Sequence, residues 1–228
     1  VFRAVVERCD ALLLPLAGWS LLAELEAAEE TARLDQTEAA QPAIFALQMG
    51  LHALWGAWGI APAAVIGHSV GEIAAACAAG SLTLEQAIHL VYHRGRLMQQ
   101  ATGNGRMASV ELSAEAAAAL IAPYGERLSI AAVNGPTTTV IAGEAAALQA
   151  VLEVLAQRQV SYRALKVNYA FHSVQMNGLA DELVRALDGL TPQGAAIPLY
   201  STVTGEISDG RGLDAAYSGR NVRQTVRF

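Results

Sequence analysis

The sequence predicts an α/β fold in which a large domain with a parallel sheet carries an inserted ferredoxin-like subdomain. A short apolar strand runs into a glycine-flanked serine and then a helix within residues 63–79. Residues 106–168 follow the order β-α-β-β-α-β, which is the ferredoxin-like order. Because 53% of the 228 residues are apolar and 16% are charged, the chain can bury a sizeable core.

The first hundred residues are predicted to be mainly helical. Helical periodicity and end signals place helices at residues 2–14, 20–30, 43–58, 72–79 and 84–100. Pro15 and Gly18 are expected to stop the first helix, Pro42 to open the third, and Gly59 and Gly80 to end the third and fourth. The buried strand that precedes the serine covers residues 63–66.

The small subdomain is predicted to span residues 106–168, with residues 1–105 and 169–228 forming the large core. Its predicted strands cover 107–112, 128–133, 137–142 and 162–167, with a hairpin turn at 134–136. Ser113 is expected to cap the first of its two helices, and the second covers 144–157. After it we predict a helix at 181–187, a strand at 197–203 and a polar, glycine-containing tail.

Charge and cysteine content exclude several classes of function. The net charge of -6 argues against nucleic acid or an anionic membrane as the main partner, and no apolar run is long enough to span a bilayer. Cys9 and Cys77 have no metal-ligand spacing, so we expect inert thiols, no metal, and a reducing, cytoplasmic location. The opening residues read as a helix already under way, which predicts a piece of a longer protein.

Residues 67–71, Gly-His-Ser-Val-Gly, form a G-x-S-x-G motif between the predicted strand and helix. This context is that of the nucleophile elbow of hydrolase-like α/β domains. We expect both flanking glycines to be required because a Cβ at either position would meet backbone. The helix start places the Val70 N–H beside an oxyanion formed on an acyl group at Ser69. The motif predicts a nucleophilic serine without separating a hydrolase from a transferase.

A nucleophilic serine needs a base within hydrogen-bond reach, and the chain has five histidines. His52, His89 and His93 fall in helical patterns, where a partly buried structural histidine is expected. His68 shares the turn of the serine and cannot easily point back at its hydroxyl. His172 follows the last subdomain strand, where the chain re-enters the large domain, and is a candidate base that position alone leaves undecided.

Several motifs, in order along the whole chain, resemble the malonyl-type acyltransferase domains of modular polyketide synthases and fatty-acid synthases. They are Thr37 to Phe45 with its Gln-Pro-Ala, Gly67 to Glu72, Tyr92 to Met98, Tyr169 to Ser173, Tyr200 to Gly205 and Asn221 to Phe228. The resemblance implies Ser69 as nucleophile, His172 as general base, and Arg94 as the partner of the substrate carboxylate. Taken alone, Arg94 would be read as a solvated helix arginine. The resemblance also implies that the Asn221 carbonyl orients the histidine.

The implied reaction is a ping-pong transfer of an acyl group from coenzyme A, through acyl-Ser69, to the phosphopantetheine thiol of an acyl carrier protein. Acyl-coenzyme A is then the donor, and no bound cofactor or metal is expected. The resemblance further implies a β-ketoacyl synthase and linker before this piece and a carrier protein after it.

The residues expected to line the acyl site give conflicting signals about the acyl group. Gln41 and His68 are expected to line it without choosing between substrates. Val70 and Phe171 are bulky and should crowd a methyl group on the α-carbon, which favours malonyl, whereas Tyr169 stands where tyrosine often accompanies methylmalonyl. A methyl group is worth only about 1–3 kcal/mol of discrimination. We expect malonyl.

The chain departs from the resembled pattern at both ends and at two positions. The family's opening strand and Gly-Gln-Gly loop, which supply a second oxyanion donor, and its last strand and helix are expected to lie outside this piece. Ser218 and Thr225 stand where tryptophan and proline are usual, and we expect packing changes there. The alternatives are a non-catalytic synthase module, a serine hydrolase or thioesterase, and a starter-unit acyltransferase, which Arg94 disfavours.

Overall fold

The computed structural model describes all 228 residues. The helices are α1 Phe2–Ala17, α2 Leu21–Glu26, α3 Thr37–Ala57, α4 Gly71–Ala78, α5 Leu84–Gln99, α6 Ala114–Ile121, α7 Ala145–Gln157, α8 Asn177–Ala186 and α9 Ala215–Arg223. The strands are β1 Val65–Ile66, β2 Arg106–Val110, β3 Leu128–Gly135, β4 Thr138–Gly143, β5 Tyr162–Ala164, β6 Leu199–Tyr200, β7 Ile207–Ser208 and β8 Val226–Arg227. None of the helices combines the length and apolarity of a membrane span.

The large α/β layer is built on a short three-stranded sheet of order β1-β6-β7. β1 pairs with β6 in parallel, with Val65 opposite Leu199, and β7 adds an antiparallel edge that the sequence did not predict. One apolar core of 29 buried residues, drawn from Val6 to Ala101 and from Met176 to Val222, packs the helices of this layer. The parallel pair carries the serine turn at its end, as the predicted fold class requires.

The second sheet has the order β5-β2-β4-β3-β8. Its first four strands are antiparallel neighbours and give the ferredoxin-like arrangement that the sequence predicts. The hairpin between β3 and β4 is present, and the Ser113 hydroxyl caps α6 by accepting the Ala116 N–H. β8, from the chain's last residues, adds in parallel to β3.

The two faces of this sheet enter different apolar clusters because side chains alternate along a strand. Ala108 and Val110 pack with α6 and α7, whereas Met107 packs with Ala170 and Val226 on the other face. The division into 1–105 with 169–228 and 106–168 stays a prediction, and β8 lies on the small sheet although it comes from the range 169–228.

The structure corrects several predicted bounds. α1 continues past Pro15 because a proline near the last turn removes only one helical hydrogen bond, and the helix ends at Gly18, whose φ is 75°. α2 ends at Glu26, where the prediction ran to residue 30, because Ala27 is extended. α3 begins at Thr37, so Pro42 lies inside it.

The predicted polar tail is wrong, since residues 207–227 contain β7, α9 and β8. The missed signal is Asp214, whose carboxylate caps α9 by accepting the Tyr217 N–H at 2.8 Å. This helix matters because it carries residues that reach the serine.

Candidate active site

Ser69 lies in a tight turn between β1 and α4 and has a left-handed φ of 54°. Non-glycine residues adopt this conformation only where the surrounding structure enforces it. A Cβ at Gly67 would lie 2.1 Å from the Gly71 carbonyl oxygen, so glycine is required there. A Cβ at Gly71 meets nothing closer than Gln48 Nε2 at 3.5 Å, so the expected requirement at that position is wrong. Of the two glycines that flank the serine, only Gly67 is required by close backbone contact.

His172 faces Ser69 although the two residues are 103 positions apart. Its Nε2 lies 2.8 Å from Ser69 Oγ, and its Nδ1 lies 2.9 Å from the Gln224 carbonyl oxygen. A carbonyl can only accept, so Nδ1 carries the proton and Nε2 is left to accept the serine hydroxyl. His172 is buried and has a left-handed φ of 58°. The pair has the geometry of a nucleophile and its base.

Two backbone carbonyls interact with His172, and the expected one, that of Asn221, is the weaker. Asn221 was expected to supply the carbonyl that orients the histidine, but the 2.9 Å partner of Nδ1 is the carbonyl of Gln224, which follows the end of α9 in an extended conformation. Both carbonyls raise the pKa of His172, that of Gln224 more strongly. The Asn221 side chain instead lies among Arg94, Glu72 and the Ser69 carbonyl.

Arg94 is 2% exposed, so the reading of an isolated solvated arginine is wrong. Its Nη1 donates to Gln41 Oε1 at 2.7 Å, and its Nη2 donates to Ser69 Oγ at 2.8 Å and to Asn221 Oδ1 at 3.2 Å. Its Nε is buried and has no partner. Burial lowers the pKa of Arg94 to about 10, and the charge of Glu72 opposes this. One donor of a buried guanidinium is thus left unused beside the serine.

Glu72 is a site residue that the sequence analysis missed. It is 3% exposed and accepts the Thr202 N–H and hydroxyl, both at 3.0 Å, the Tyr217 hydroxyl, and Asn221 Nδ2 at 2.6 Å. Burial raises its pKa, and these hydrogen bonds work against the rise. A glutamate in the first turn of a helix normally reads as a surface residue that complements the helix dipole, so the sequence offered no signal for burial.

The pKa of His172 is lowered to about 3, chiefly by burial and next by the positive charge of Arg94. The imidazole is therefore neutral at physiological pH, which is the form that can accept the proton of Ser69. Arg94 is a buried cation that donates to Ser69 Oγ, so it also stabilises the negative charge that forms on this oxygen when neutral His172 removes its proton.

The remaining predicted site residues surround this centre. The rings of Tyr169 and Phe171 are stacked with centroids 3.8 Å apart, on the segment that leads to His172. Val70 is half-buried, directly after the serine. His68 is exposed, and its Nε2 lies 2.9 Å from Asn134 Oδ1 on β3.

The helical histidines lie outside the centre, as expected. His52, His89 and His93 are all partly buried, and the Nε2 atoms of His89 and His93 are 3.2 Å apart. No group of three or more histidine, cysteine, aspartate or glutamate side chains is arranged to hold a metal ion. Burial raises the pKa of Cys9 to about 12 and that of Cys77 to about 11, so neither thiol is activated.

The chemistry of the site is that of acyl transfer to an activated serine. A serine–histidine pair can form an acyl ester, and a buried guanidinium with a spare donor suits an acyl group that carries a carboxylate. The helix α4 begins at Gly71, two residues after Ser69, and amides at a helix start can stabilise an oxyanion that develops on an acyl group.

Comparisons with known proteins agree with this chemistry. A family model described as "Acyl transferase domain" matches residues 1–228. Polyketide synthase GfsA of Streptomyces halstedii is 46% identical over 234 residues, covering 100% of this chain and 3% of that protein. The crystal structure of the acyltransferase domain from module 8 of the salinomycin polyketide synthase superposes with a TM-score of 0.96 at 41% identity, covering 100% of this chain and 54% of the other.

A more distant solved structure includes a carrier protein. It is described as a type II polyketide synthase acyl-carrier protein in complex with its malonyl-transacylase, and it matches at 29% identity with a TM-score of 0.87, covering 98% of this chain and 74% of the other. The comparisons confirm the resemblance and the fold class that the sequence predicts. The chain spans only a few per cent of the curated synthase named above.

Proposed function

The chain belongs to the acyl transferase domain family, and on that premise we propose that it moves a malonyl group from coenzyme A to an acyl carrier protein in polyketide biosynthesis. The observation that carries the proposal is the position of Ser69 Oγ, 2.8 Å from both His172 Nε2 and Arg94 Nη2. A base and a carboxylate-binding cation therefore meet at one nucleophile.

In the acylation step, Ser69 Oγ attacks the thioester carbonyl carbon while His172 Nε2 takes the hydroxyl proton. The C–O bond forms, and the carbonyl oxygen becomes an oxyanion that accepts the Val70 N–H at the start of α4. When the intermediate collapses, the C–S bond breaks, and the thiolate of coenzyme A takes the proton back from His172. Acyl-Ser69 remains, and coenzyme A leaves as the thiol.

In the transfer step, the same groups work in reverse. The phosphopantetheine thiol of the carrier protein gives its proton to His172 and attacks the acyl-serine carbonyl carbon. The C–O bond to Ser69 breaks, and Oγ regains the proton from His172. The reaction exchanges one thioester for another, so it needs no oxidant, metal or bound cofactor. The carrier protein in the malonyl-transacylase complex supports this choice of partner.

Arg94 binds the free carboxylate of the malonyl group in this proposal. The guanidinium is buried, so an anionic ligand meets little competition from water, and the unpartnered Nε offers a donor beside Nη2. A carboxylate also replaces the weak neutral partners of a buried cation with an opposite charge. The arrangement therefore favours dicarboxylic half-thioesters over acetyl groups.

Malonyl rather than methylmalonyl is the proposed substrate because bulky side chains, Val70 and Phe171, stand next to the nucleophile and the base in the sequence. Phe171 lies one residue before the base and stacks on Tyr169, which fixes both rings. Val70 is half-buried and directly follows the serine. The hydrogen-bond partner of His172 Nδ1 is a backbone carbonyl. A serine hydrolase with a Ser-His-Asp triad would have an aspartate carboxylate at this position, so the geometry argues against that alternative.

The test is intact-protein mass spectrometry after brief incubation with malonyl-, methylmalonyl- or acetyl-coenzyme A. A malonyl adduct that forms fastest, is absent from Ser69→Ala and disappears when a carrier protein is added would support the proposal. If no thioester labels the wild-type protein, the piece is not an acyltransferase on its own. An adduct that water removes as fast as the carrier protein would indicate a thioesterase.

A further inference from the structure

We propose that Glu72 is a positioning residue for acyl-group selection, because it fixes the side chain of Asn221 that holds Arg94 beside Ser69. The inference rests on the proposed acyl transfer and deepens it. Glu72 touches neither Ser69 Oγ nor the guanidinium of Arg94 through a hydrogen bond. It acts through Asn221 and through its charge.

The carboxylate of Glu72 is buried without a cation in direct contact. Oε1 accepts the Thr202 N–H and the Tyr217 hydroxyl, and Oε2 accepts the Thr202 hydroxyl and Asn221 Nδ2. Four donors fill the acceptor capacity of an ionised carboxylate and leave no capacity unused. Their number and convergence support the ionised form in spite of burial.

This carboxylate decides which way the Asn221 amide is turned. Oε2 of an ionised Glu72 can only accept, so the NH₂ end of Asn221 faces it at 2.6 Å. The oxygen end then faces Arg94, which can only donate, and lies 3.2 Å from Nη2. The flipped amide would place two oxygens against each other on one side and two donors on the other. Glu72 and Arg94 therefore select the same orientation of Asn221.

The orientation of Asn221 affects the nucleophile through one nitrogen atom of Arg94. Arg94 Nη2 is shared between Asn221 Oδ1 and Ser69 Oγ, so the position of the amide sets the position of the donor on the serine. The charge of Glu72 acts in the same direction, because it opposes the lowering of the pKa of Arg94 by burial. A fixed, fully charged guanidinium is what discrimination between malonyl and acetyl requires.

Glu72 also has contacts with a purely structural meaning. Thr202 Oγ1 donates within reach of both Glu72 Oε2 and the Gly67 carbonyl oxygen, at 3.0 and 3.2 Å, and so joins the carboxylate to the serine turn. If this were its whole role, loss of Glu72 would slow acylation by every thioester to the same extent. A positioning role predicts a selective loss for acyl groups that carry a carboxylate.

The experiment measures the rate of Ser69 acylation with malonyl- and with acetyl-coenzyme A and compares their ratio. In Glu72→Gln the NH₂ group of the new amide takes the place of an oxygen that accepts two of the four donors, so we expect the malonyl-to-acetyl ratio to fall about tenfold or more. Glu24→Gln is the matched control, since Glu24 is also buried, at 8% exposed, but is held by Arg33, outside the serine site. Its ratio should equal that of the wild type.

Asn221→Ala and the double variant that combines it with Glu72→Gln test whether Glu72 acts through Asn221. If Glu72 acts through Asn221, the single changes should not add, and the double variant should resemble Asn221→Ala. Should Glu72→Gln fail to fold, Asn221→Ala carries the decision, because an unchanged ratio there overturns the inference.

A ratio within twofold of wild type in Glu72→Gln, or equal losses with both thioesters, would show a structural role alone. This outcome is distinct from failure of the proposed function, in which the wild-type protein itself forms no adduct.

Discussion

Arg94 Nη2 lies 2.8 Å from Ser69 Oγ, at the same distance as His172 Nε2 on the same oxygen. The serine hydroxyl donates to the imidazole and accepts from the guanidinium. The residue that would recognise the substrate carboxylate thus contacts the nucleophile directly. Recognition of the substrate carboxylate and reactivity of the serine are therefore linked at one atom, Ser69 Oγ.

Ser69→Ala should abolish acylation, because no other serine, threonine or cysteine shares the contact with His172. We expect the labelling rate by malonyl-coenzyme A to fall at least about a thousandfold. Intact-protein mass spectrometry measures it, with Ser81→Ala, a change at another buried serine, as control. Equal labelling of Ser69→Ala and the wild type would place the acyl group elsewhere.

Arg94→Lys should lower kcat/KM for malonyl-coenzyme A by about tenfold to a hundredfold. A lysine has one ammonium and cannot donate to Gln41, Ser69 and Asn221 with the geometry of a planar fork. Acetyl-coenzyme A should lose much less, so the measurement is the ratio of the two. Arg96→Lys, two residues along the same helix and exposed, is the control. A ratio that survives in Arg94→Lys would remove Arg94 from carboxylate recognition.

Gly67→Ala should prevent folding or cost more than about 4 kcal/mol of the free energy of unfolding. The new Cβ would lie 2.1 Å from the Gly71 carbonyl oxygen, and no side-chain movement can relieve a clash with backbone. Gly71→Ala, in the same turn, should change the free energy of unfolding by no more than about 1 kcal/mol. Chemical denaturation of the two variants tests the contrast, and similar costs would contradict it.

The stability contribution of His172 should depend on pH. Its pKa is about 3 in the folded protein and 6.5 when unperturbed, so between these values the unfolded state binds more protons. The contribution is complete above pH 6.5 and is lost as the pH falls toward 3, at up to about 1.4 kcal/mol per unit. The free energy of unfolding of the wild type minus that of His172→Asn, measured by denaturation from pH 7.5 to 4, should therefore shrink on acidification. A constant difference would mean an ordinary pKa.

Phe171→Ser should raise the use of methylmalonyl- relative to malonyl-coenzyme A by about tenfold. The change removes the ring that stacks on Tyr169 beside the base and opens room for a methyl group. Competition between the two thioesters for Ser69, read as the mass of the adduct, measures the shift. If Tyr124→Ser, at an aromatic residue on the small subdomain, shifts the preference equally, Phe171 is not the cause.

Much of the site could be predicted because its signals are local. The serine turn follows from a strand, a Gly-x-Ser-x-Gly motif and a helix within residues 63–79, and the small sheet follows from alternation and turn residues. Composition does not reveal burial. Glu72 and Arg94 carry full charges and sit inside helical patterns, and only tertiary packing shows that they lie inside the protein.

Other parts could not be predicted because they depend on contacts between distant segments. The carbonyl that lies 2.9 Å from His172 Nδ1 belongs to Gln224, three residues after the expected Asn221. Gln224 follows the last residue of α9 and has an extended backbone. β8 has only two residues, and its pairing with β3 comes from the placement of α9. No periodicity exists in a segment that short.

The attachment of β8 to β3 has a mechanical consequence. His172 is reached from β5, and the carbonyl that orients it belongs to Gln224, two residues before β8, so both supports of the imidazole are anchored to strands of the small sheet. Ser69 instead rises from β1 of the other sheet. The length of the 2.8 Å hydrogen bond between them therefore depends on the spacing between the two sheets. A tilt of one sheet against the other would lengthen this hydrogen bond and so weaken the activation of Ser69 by His172.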